Sequence, residues 1–147
     1  MSFFLDTSAL VKIYHREAGT SCMHRIYHGE DVIYLSDLAR VEFRAMLLRR
    51  YREGQLSDEA LQAVLGRFTA DLSERYQAVG FTIHVIEETL RVLDKSGKTT
   101  ALRSLDAIQF AFYTTFCEEG AVFISADRRL VEAVASAGFP VMRPEDE

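Results

Sequence analysis

Hydrophobic residues along the chain form two kinds of pattern: short runs and longer helical stripes. Five short runs are rich in β-branched or aromatic residues and are too short for helices, so each predicts a β-strand. They are residues 3–5 (FFL), 31–35 (DVIYL), 81–85 (FTIHV), 121–125 (AVFIS) and 140–142 (PVM). None alternates cleanly with polar residues, which is typical of strands buried on both faces of a parallel sheet.

Helical patterns fill the segments between these runs. Ser8 and Thr20 are predicted N-caps of two short helices, and Ser36 and Ser57 of two long ones that reach about residues 53 and 79. In the second long helix the apolar residues fall on one stripe, which consists of Leu61, Val64, Leu65, Phe68 and Leu72. Three further helical patterns follow, EETLRVLDK, SLDAIQFAFYTTF and RRLVEAVASA.

The resulting order is β-α-α-β-α-α-β-α-α-β-α-β, which predicts an α/β sandwich built on a parallel sheet. A chain of 147 residues without repeats or a linker fits a single domain over residues 1–147. The last residues, RPEDE at 143–147, are expected to form a frayed acidic tail.

Composition narrows the class of protein. With 48% hydrophobic residues the chain can bury a core, and no run approaches the ~20 apolar residues of a membrane helix. The start lacks the basic and long apolar regions of a signal peptide, and two cysteines are too few for a disulfide scaffold, so a cytoplasmic protein is expected. A net charge of -5 argues against broad nucleic-acid binding but leaves room for a local basic patch.

Four acidic residues follow the strands in a recurring way. Asp6 directly ends the first run, and Asp127 comes two residues after Ser125 closes the fourth. Glu42 lies in the helix after the second strand, and Asp106 in the first turn of the helix before the fourth. Because ligands of open parallel sheets bind beyond the carboxyl ends of the strands, the four side chains are expected at one edge.

Such a cluster needs a neutralising cation. Two like charges ~4 Å apart cost about 4 kcal/mol at an effective dielectric of about 20. An all-oxygen site suits Mg²⁺ or Mn²⁺, ions that activate water in phosphodiester hydrolysis. Taken singly, each acid has a simpler explanation: Asp6 and Asp127 as N-caps, Asp106 as a partner of the helix dipole, and Glu42 as a solvated residue. The inference of a metal site therefore rests on the placement of all four acids together.

Four segments of the chain resemble the PIN domain, and within it the VapC-like toxins of type II toxin–antitoxin modules. These segments are FFLDTSALVKIY, SDLARVEFRAML, LRSLDAIQFAF and VFISADRRLVEAV, and the resemblance covers essentially the whole chain. It implies a three-layer α/β/α sandwich with a central parallel sheet of about five strands. It also implies a Mg²⁺- or Mn²⁺-dependent endoribonuclease that arrests translation or growth, an inhibiting antitoxin partner and a homodimer.

The resemblance also implies the site residues. The catalytic acids of the family fall on Asp6, Glu42, Asp106 and Asp127. Asp6 and Asp106 are expected to hold the principal metal ion, and Glu42 and Asp127 to complete the acidic set or hold a second ion. Three residues match small hydroxyl positions beside the acids and are candidate substrate contacts: Thr7, Ser8 and Ser125.

A basic loop leads into Asp106. Lys98 and Arg103 are the candidate phosphate contacts in it, because a basic loop entering an acidic site is the arrangement that RNA binding needs. A solvated charged surface explains the same residues equally well.

Three other known motifs are each excluded by one residue of this sequence. SGKTT lacks the glycine that a P-loop needs at Val92, a zinc-protease motif would need Glu where Arg25 stands, and an aspartyl-phosphatase motif would need Asp where Ser8 stands. Two alternatives stay open, a catalytically weak RNA- or protein-binding module with the same fold and a PIN nuclease outside a toxin–antitoxin module. The helices at 37–53 and 58–79 could form a groove for an antitoxin segment or a dimer face.

Overall fold

A single sheet of five parallel strands runs through the centre of the molecule, in a computed structural model that describes residues 1–147. The strands are β1 (Ser2–Leu5), β2 (Val32–Ser36), β3 (Gln77–Val79), β4 (Val122–Ile124) and β5 (Val141–Met142). Their spatial order is β3-β2-β1-β4-β5, and every neighbouring pair is parallel. The predicted parallel sheet is therefore confirmed, with β1 at its centre.

Seven α-helices connect the strands. They are α1 (Thr7–Tyr14), α2 (Thr20–His28), α3 (Asp37–Arg52), α4 (Asp58–Glu74), α5 (Ile83–Ser96), α6 (Ser104–Phe116) and α7 (Arg128–Ser136). A short 3-10 turn, Pro144–Asp146, ends the chain. The order of elements is the predicted one. None of the helices combines the length and the apolar character needed to cross a membrane.

The sheet is covered on both faces, which gives the predicted three-layer α/β/α sandwich. Phe3 and Leu5 point to one face and pack with residues of α1, α2, α3 and α4, whereas Phe4 points to the other and packs with residues of α5, α6 and α7. Phe4 stacks on Phe123 of β4 with ring centroids 5.4 Å apart. Because both faces are buried, β1 shows no alternation of apolar and polar residues.

The third strand does not lie where the sequence predicted it. The run at 81–85 belongs to the start of α5, and β3 lies earlier, at Gln77–Val79. Thr82 caps α5 by accepting a hydrogen bond from the amide of Val85 (3.3 Å). The buried residues of this helix are Val85, Thr89 and Val92. Their helical spacing outweighs the β-propensity of the run, because packing decides between the two. α4 ends at Glu74 rather than near residue 79, because Gln77–Val79 form β3 and pair with β2.

The cap of α1 also differs from the prediction. Asp6, rather than Ser8, is its N-cap, and its Oδ1 accepts a hydrogen bond from the amide of Ala9 (2.9 Å). The predicted caps Ser36 and Ser57 are confirmed. The single Asp6 carboxylate therefore both starts a helix and stands at the carboxyl end of the central strand.

The acidic tail is packed against the body of the protein instead of fraying. Glu145 pairs with the Nζ atom of Lys12 at 2.9 Å, and only 5% of Lys12 is exposed. Pro144 is buried beside Gly19, where a Cβ would lie 2.7 Å from the proline ring, and the φ angle of Gly19 is +87°. A buried ammonium group requires carboxylate partners, which is why this tail docks. Gly19 is also the N-cap of α2, one residue before the predicted cap.

Arg75, just after α4, closes the carboxyl end of α2. Its guanidinium donates to the carbonyl oxygens of Tyr27 (2.6 Å), Asp31 (3.0 Å), Ile26 (3.1 Å) and Gly29 (3.2 Å). The last carbonyls of a helix have no partner inside the helix, so this one side chain satisfies groups that would otherwise need water.

We expect Arg75→Ala to lower the free energy of unfolding by about 2 kcal/mol, because the carbonyls lose a charged donor. Urea denaturation monitored by circular dichroism measures the change. Arg49→Ala is the matched control, since Arg49 is exposed and pairs only with Glu53, and we expect no measurable change in its urea midpoint. Equal midpoints for the two variants would contradict this role of Arg75.

Candidate metal centre

The carboxyl ends of β1 and β4 bring the first and last of the four acids to one edge. Leu5 and Ile124 are register partners in these adjacent parallel strands, and the amide of Asp6 donates to the carbonyl of Ile124 (3.1 Å). Ser125, the next residue, donates to Oδ2 of Asp6 at 2.6 Å. The strand pairing therefore places Asp6 directly against the turn that leads to Asp127.

Asp6 is a buried carboxylate with both oxygens hydrogen-bonded. Ser8 Oγ (2.7 Å) and the amide of Ala9 (2.9 Å) donate to Oδ1, and Ser125 donates to Oδ2. Burial raises the pKa of Asp6 to about 6; the three hydrogen bonds oppose this rise, and the negative charge of Glu42 adds to it. Asp6 thus lies within electrostatic reach of Glu42, in a place where a second charge is unfavourable without a cation.

Ser8 and Ser125 connect Asp6 to the loop between β4 and α7. The amide of Ala126 donates to Ser8 Oγ (2.9 Å), and the amide of Asp127 donates to Ser125 Oγ (3.0 Å). A serine hydroxyl has one hydrogen to donate, and in both residues Asp6 accepts it. The two serines, expected as substrate contacts, orient Asp6 in this structure.

Glu42 is fixed by a chain of buried polar side chains. Thr7 Oγ1 (2.9 Å) and Gln109 Nε2 (3.0 Å) both donate to Oε1 of Glu42. Gln109 Nε2 also lies 3.2 Å from Thr7 Oγ1. The Oε1 atom of Gln109 accepts a hydrogen bond from Ser36 Oγ (2.8 Å). Like the two serines, Thr7 has its hydrogen engaged by a carboxylate.

Gln109 is a site residue that the sequence analysis missed. Only 3% of it is exposed, and it links the end of β2, the start of α1 and the acid in α3. The available signal was its position three residues after Asp106 in an otherwise largely apolar segment, which places both side chains on the same side of α6.

Asp106 and Asp127 are joined by one arginine. Arg103 donates from Nε to Asp106 Oδ2 (3.2 Å) and from a terminal nitrogen to Asp127 Oδ2 (3.3 Å). Asp127 also caps α7, since its Oδ1 accepts from the amides of Arg129 (2.9 Å) and Leu130 (3.3 Å). The structure therefore brings these two acids to a common cation.

The two predicted phosphate contacts differ in their surroundings. Arg103 faces the acids, whereas Lys98 is exposed and forms no ion pair. Lys95 is likewise exposed and unpaired at the end of α5. Lys98 therefore has its charge available to a ligand, but nothing in the fold directs it at the carboxylates.

The donor set has the chemistry of a site for a hard divalent ion. All four candidate ligands are carboxylates. Asp106 and Asp127 share Arg103, and Asp6 precedes Thr7, whose hydroxyl donates to Glu42. Oxygen donors of this kind suit Mg²⁺ and Mn²⁺. In the arrangement described, no three His, Cys, Asp or Glu side chains converge as a ready-made metal site. The cation between two of the acids is instead Arg103.

Known proteins resemble this chain over nearly its full length. Ribonuclease VapC45 of Mycobacterium tuberculosis (strain CDC 1551 / Oshkosh) is 29% identical over 141 residues, which cover 94% of this chain and 92% of the relative. The crystal structure of Mycobacterium tuberculosis VapC20, a sarcin-ricin loop cleaving toxin, has a TM-score of 0.67 at 20% identity and covers 93% of this chain and 95% of its own. A toxin–antitoxin complex from Klebsiella pneumoniae has a TM-score of 0.60 at 16% identity, with 97% of each chain covered.

The two solved structures share the fold of this chain, which agrees with the three-layer sandwich described above. The chain also matches at the level of a protein family. The family model of the PIN domain matches residues 3–135, a span that contains all five acids and amides of the candidate centre, namely Asp6, Glu42, Asp106, Gln109 and Asp127. The chain therefore belongs to the PIN-domain family.

Proposed function

We propose that this protein is a Mg²⁺- or Mn²⁺-dependent endoribonuclease and the toxin of a type II toxin–antitoxin module. The observation that carries the proposal is that four carboxylates from separate segments form two pairs. Asp106 and Asp127 share Arg103, and Glu42 accepts from Thr7, the residue next to Asp6. Support comes from relatives named as VapC ribonucleases over nearly the whole chain. The nuclease is proposed to be one domain over residues 1–147 and to act on RNA in the cytoplasm.

Asp6 and Asp106 would hold the principal ion, with Glu42 and Asp127 completing the acidic set. A bound Mg²⁺ or Mn²⁺ supplies a water of lowered pKa and neutralises charge at the scissile phosphate. The chain's own contribution is orientation. Ser8 and Ser125 hold Asp6, while Thr7 and Gln109 hold Glu42 through Oε1 only.

Phosphate binding is proposed to involve Lys98 and Arg103. Lys98 is exposed and unpaired, so it can reach an RNA backbone without breaking an existing ion pair. Arg103 can do so only after leaving Asp106 and Asp127. The hydroxyls of Thr7, Ser8 and Ser125 support the acids first and would contact substrate only through their remaining lone pairs.

Cleavage of a circular RNA tests the proposed reaction, because only an endonuclease can open a circle. We expect cutting with Mg²⁺ or Mn²⁺, loss of cutting in EDTA, and recovery when the metal ion is restored in excess. RNA binding without cutting under all conditions would favour the alternative, a catalytically weak binding module with the same fold. Cutting that persists in EDTA would contradict the metal dependence.

An apolar groove between α3 and α4 is the proposed seat of the antitoxin. It has a volume of about 710 Å³ and is rimmed by Val41 (68% exposed), Leu48 (39%) and Phe81 (51%), with Phe43 and Phe68 at its lining. Exposed apolar surface of this kind marks a partner site. A helical segment laid into such a groove buries its apolar face there. The predicted homodimer is a competing occupant of the same surface.

We expect Val41→Glu to weaken binding of an antitoxin encoded beside this protein by about 30-fold or more, since a charge would be placed among the apolar contacts of the groove. Co-expression followed by size-exclusion chromatography and calorimetry measures the effect. Ile86→Glu is the control, because Ile86 is 52% exposed on α5 and outside the groove. If Val41→Glu instead keeps the antitoxin and turns a dimer into a monomer, the groove is the dimer face.

A further inference from the structure

Arg103 is the only cationic side chain that contacts any of the four candidate metal ligands. It bridges Asp106 and Asp127, which come from α6 and from the turn before α7, 21 residues of sequence apart by their numbers. The two acids are only 17% and 28% exposed, whereas the Arg103 side chain is 73% exposed. A largely exposed cation thus bridges two partly buried carboxylates.

The position of Arg103 in the chain and its long contacts allow its side chain both to reach the acids and to leave them. Arg103 occupies the N-cap position of α6, and its side chain makes no capping hydrogen bond. Its two contacts, at 3.2 and 3.3 Å, are at the long end of hydrogen-bond distances. Exposed ion pairs of this kind are weak because water screens the two charges, so the side chain is held less firmly than in a buried pair.

We propose that Arg103 takes the place of a divalent cation between Asp106 and Asp127 in the metal-free protein, and that it must leave these carboxylates when the ion binds. This inference rests on the proposed metal-dependent function. Arg103 neutralises the repulsion between the acids while no ion is present, and it competes with the ion for the same oxygens. It is a positioning residue for the metal-free site, and its release also frees it for phosphate.

The competition has a direct consequence for metal affinity. Removing the guanidinium leaves the two acids unneutralised in the metal-free protein and removes a positive charge that repels the ion. We expect Arg103→Ala to bind Mn²⁺ about fivefold to tenfold more tightly, the fold-change that corresponds to two exposed ion pairs. We expect Arg103→Lys to lie between this variant and the wild type, because an ammonium group keeps the charge but not the two-point bridge.

Titration with Mn²⁺, followed by the electron paramagnetic resonance signal of the free ion, measures these affinities without RNA or turnover. Arg91→Ala is the matched control. Arg91 is exposed and pairs with an acid three residues away, Glu88, so the variant has the same change of net charge at a distant place. Its Mn²⁺ affinity should equal that of the wild type. A second measurement is the rise in Tm on adding Mn²⁺, which should be larger for Arg103→Ala than for Arg91→Ala.

The outcomes separate the inference from the proposed function. Equal or weaker Mn²⁺ binding by Arg103→Ala, with measurable binding by the wild type, overturns the inference and leaves the metal-dependent nuclease standing. Equal tightening by Arg103→Ala and Arg91→Ala also overturns it, since net charge alone would then explain the effect. Absence of Mn²⁺ binding in all four proteins overturns the proposed function, and the inference with it.

Discussion

Asp6→Asn is expected to lower metal-dependent RNA cleavage by about a thousandfold while leaving the fold intact. The ion's contribution to the transition state is several kcal/mol, and about 1.4 kcal/mol corresponds to a tenfold change in rate. The carboxamide keeps one oxygen to accept from the amide of Ala9, so α1 keeps its N-cap. It loses the negative charge that a divalent ion requires.

Initial rates of cleavage at saturating Mg²⁺ measure the loss, and circular dichroism checks the fold. Asp71→Asn is the control, because Asp71 is as buried as Asp6, 7% against 5% exposed, and accepts hydrogen bonds from tyrosines away from the centre. Folded Asp71→Asn should cleave at nearly the wild-type rate. Full activity in Asp6→Asn would remove this residue from the proposed metal site.

Gln109→Met is expected to affect both stability and catalysis. The thioether has nearly the size of the amide but donates nothing, so Glu42 loses a donor and Ser36 loses its acceptor in a buried place. Leaving such groups unpaired costs about 1–3 kcal/mol each, and we expect a loss of about 2–4 kcal/mol in the free energy of unfolding. Mutation of a residue that orients a metal ligand typically lowers metal affinity or activity by about 10–100-fold.

Two readouts separate orientation of Glu42 from simple loss of stability. The Mn²⁺ concentration for half-maximal cleavage should rise for Gln109→Met under conditions where the variant is fully folded. Gln62→Met on the exposed side of α4 should change neither this concentration nor the urea midpoint. A variant that is less stable but has an unchanged Mn²⁺ requirement would make Gln109 a purely structural residue.

Local sequence signals predicted two of the four helix N-caps correctly, whereas the other two, Ser8 and Thr20, lie one or two residues after the actual caps. Ser36 and Ser57 cap their helices as predicted, because an N-cap depends on a side chain and an amide three residues away. Such signals failed at 81–85, where only Val85 is buried and it begins the helical spacing of Val85, Thr89 and Val92. The buried ammonium of Lys12 is far in sequence from the tail, so no local pattern could predict its ion pair with Glu145.

By itself, the sequence determined the alternation of strands and helices, the parallel sheet, and the positions of four acids in the helices and turns beside the strand ends. These follow from hydrophobic patterning and from the rule that parallel strands end at one edge. Only the tertiary structure decided what surrounds each acid: the serines on Asp6, Gln109 on Glu42 and Arg103 between the other two. Hydrogen bonds and ion pairs between distant segments depend on distances of a few tenths of an ångström, which a one-dimensional pattern does not encode.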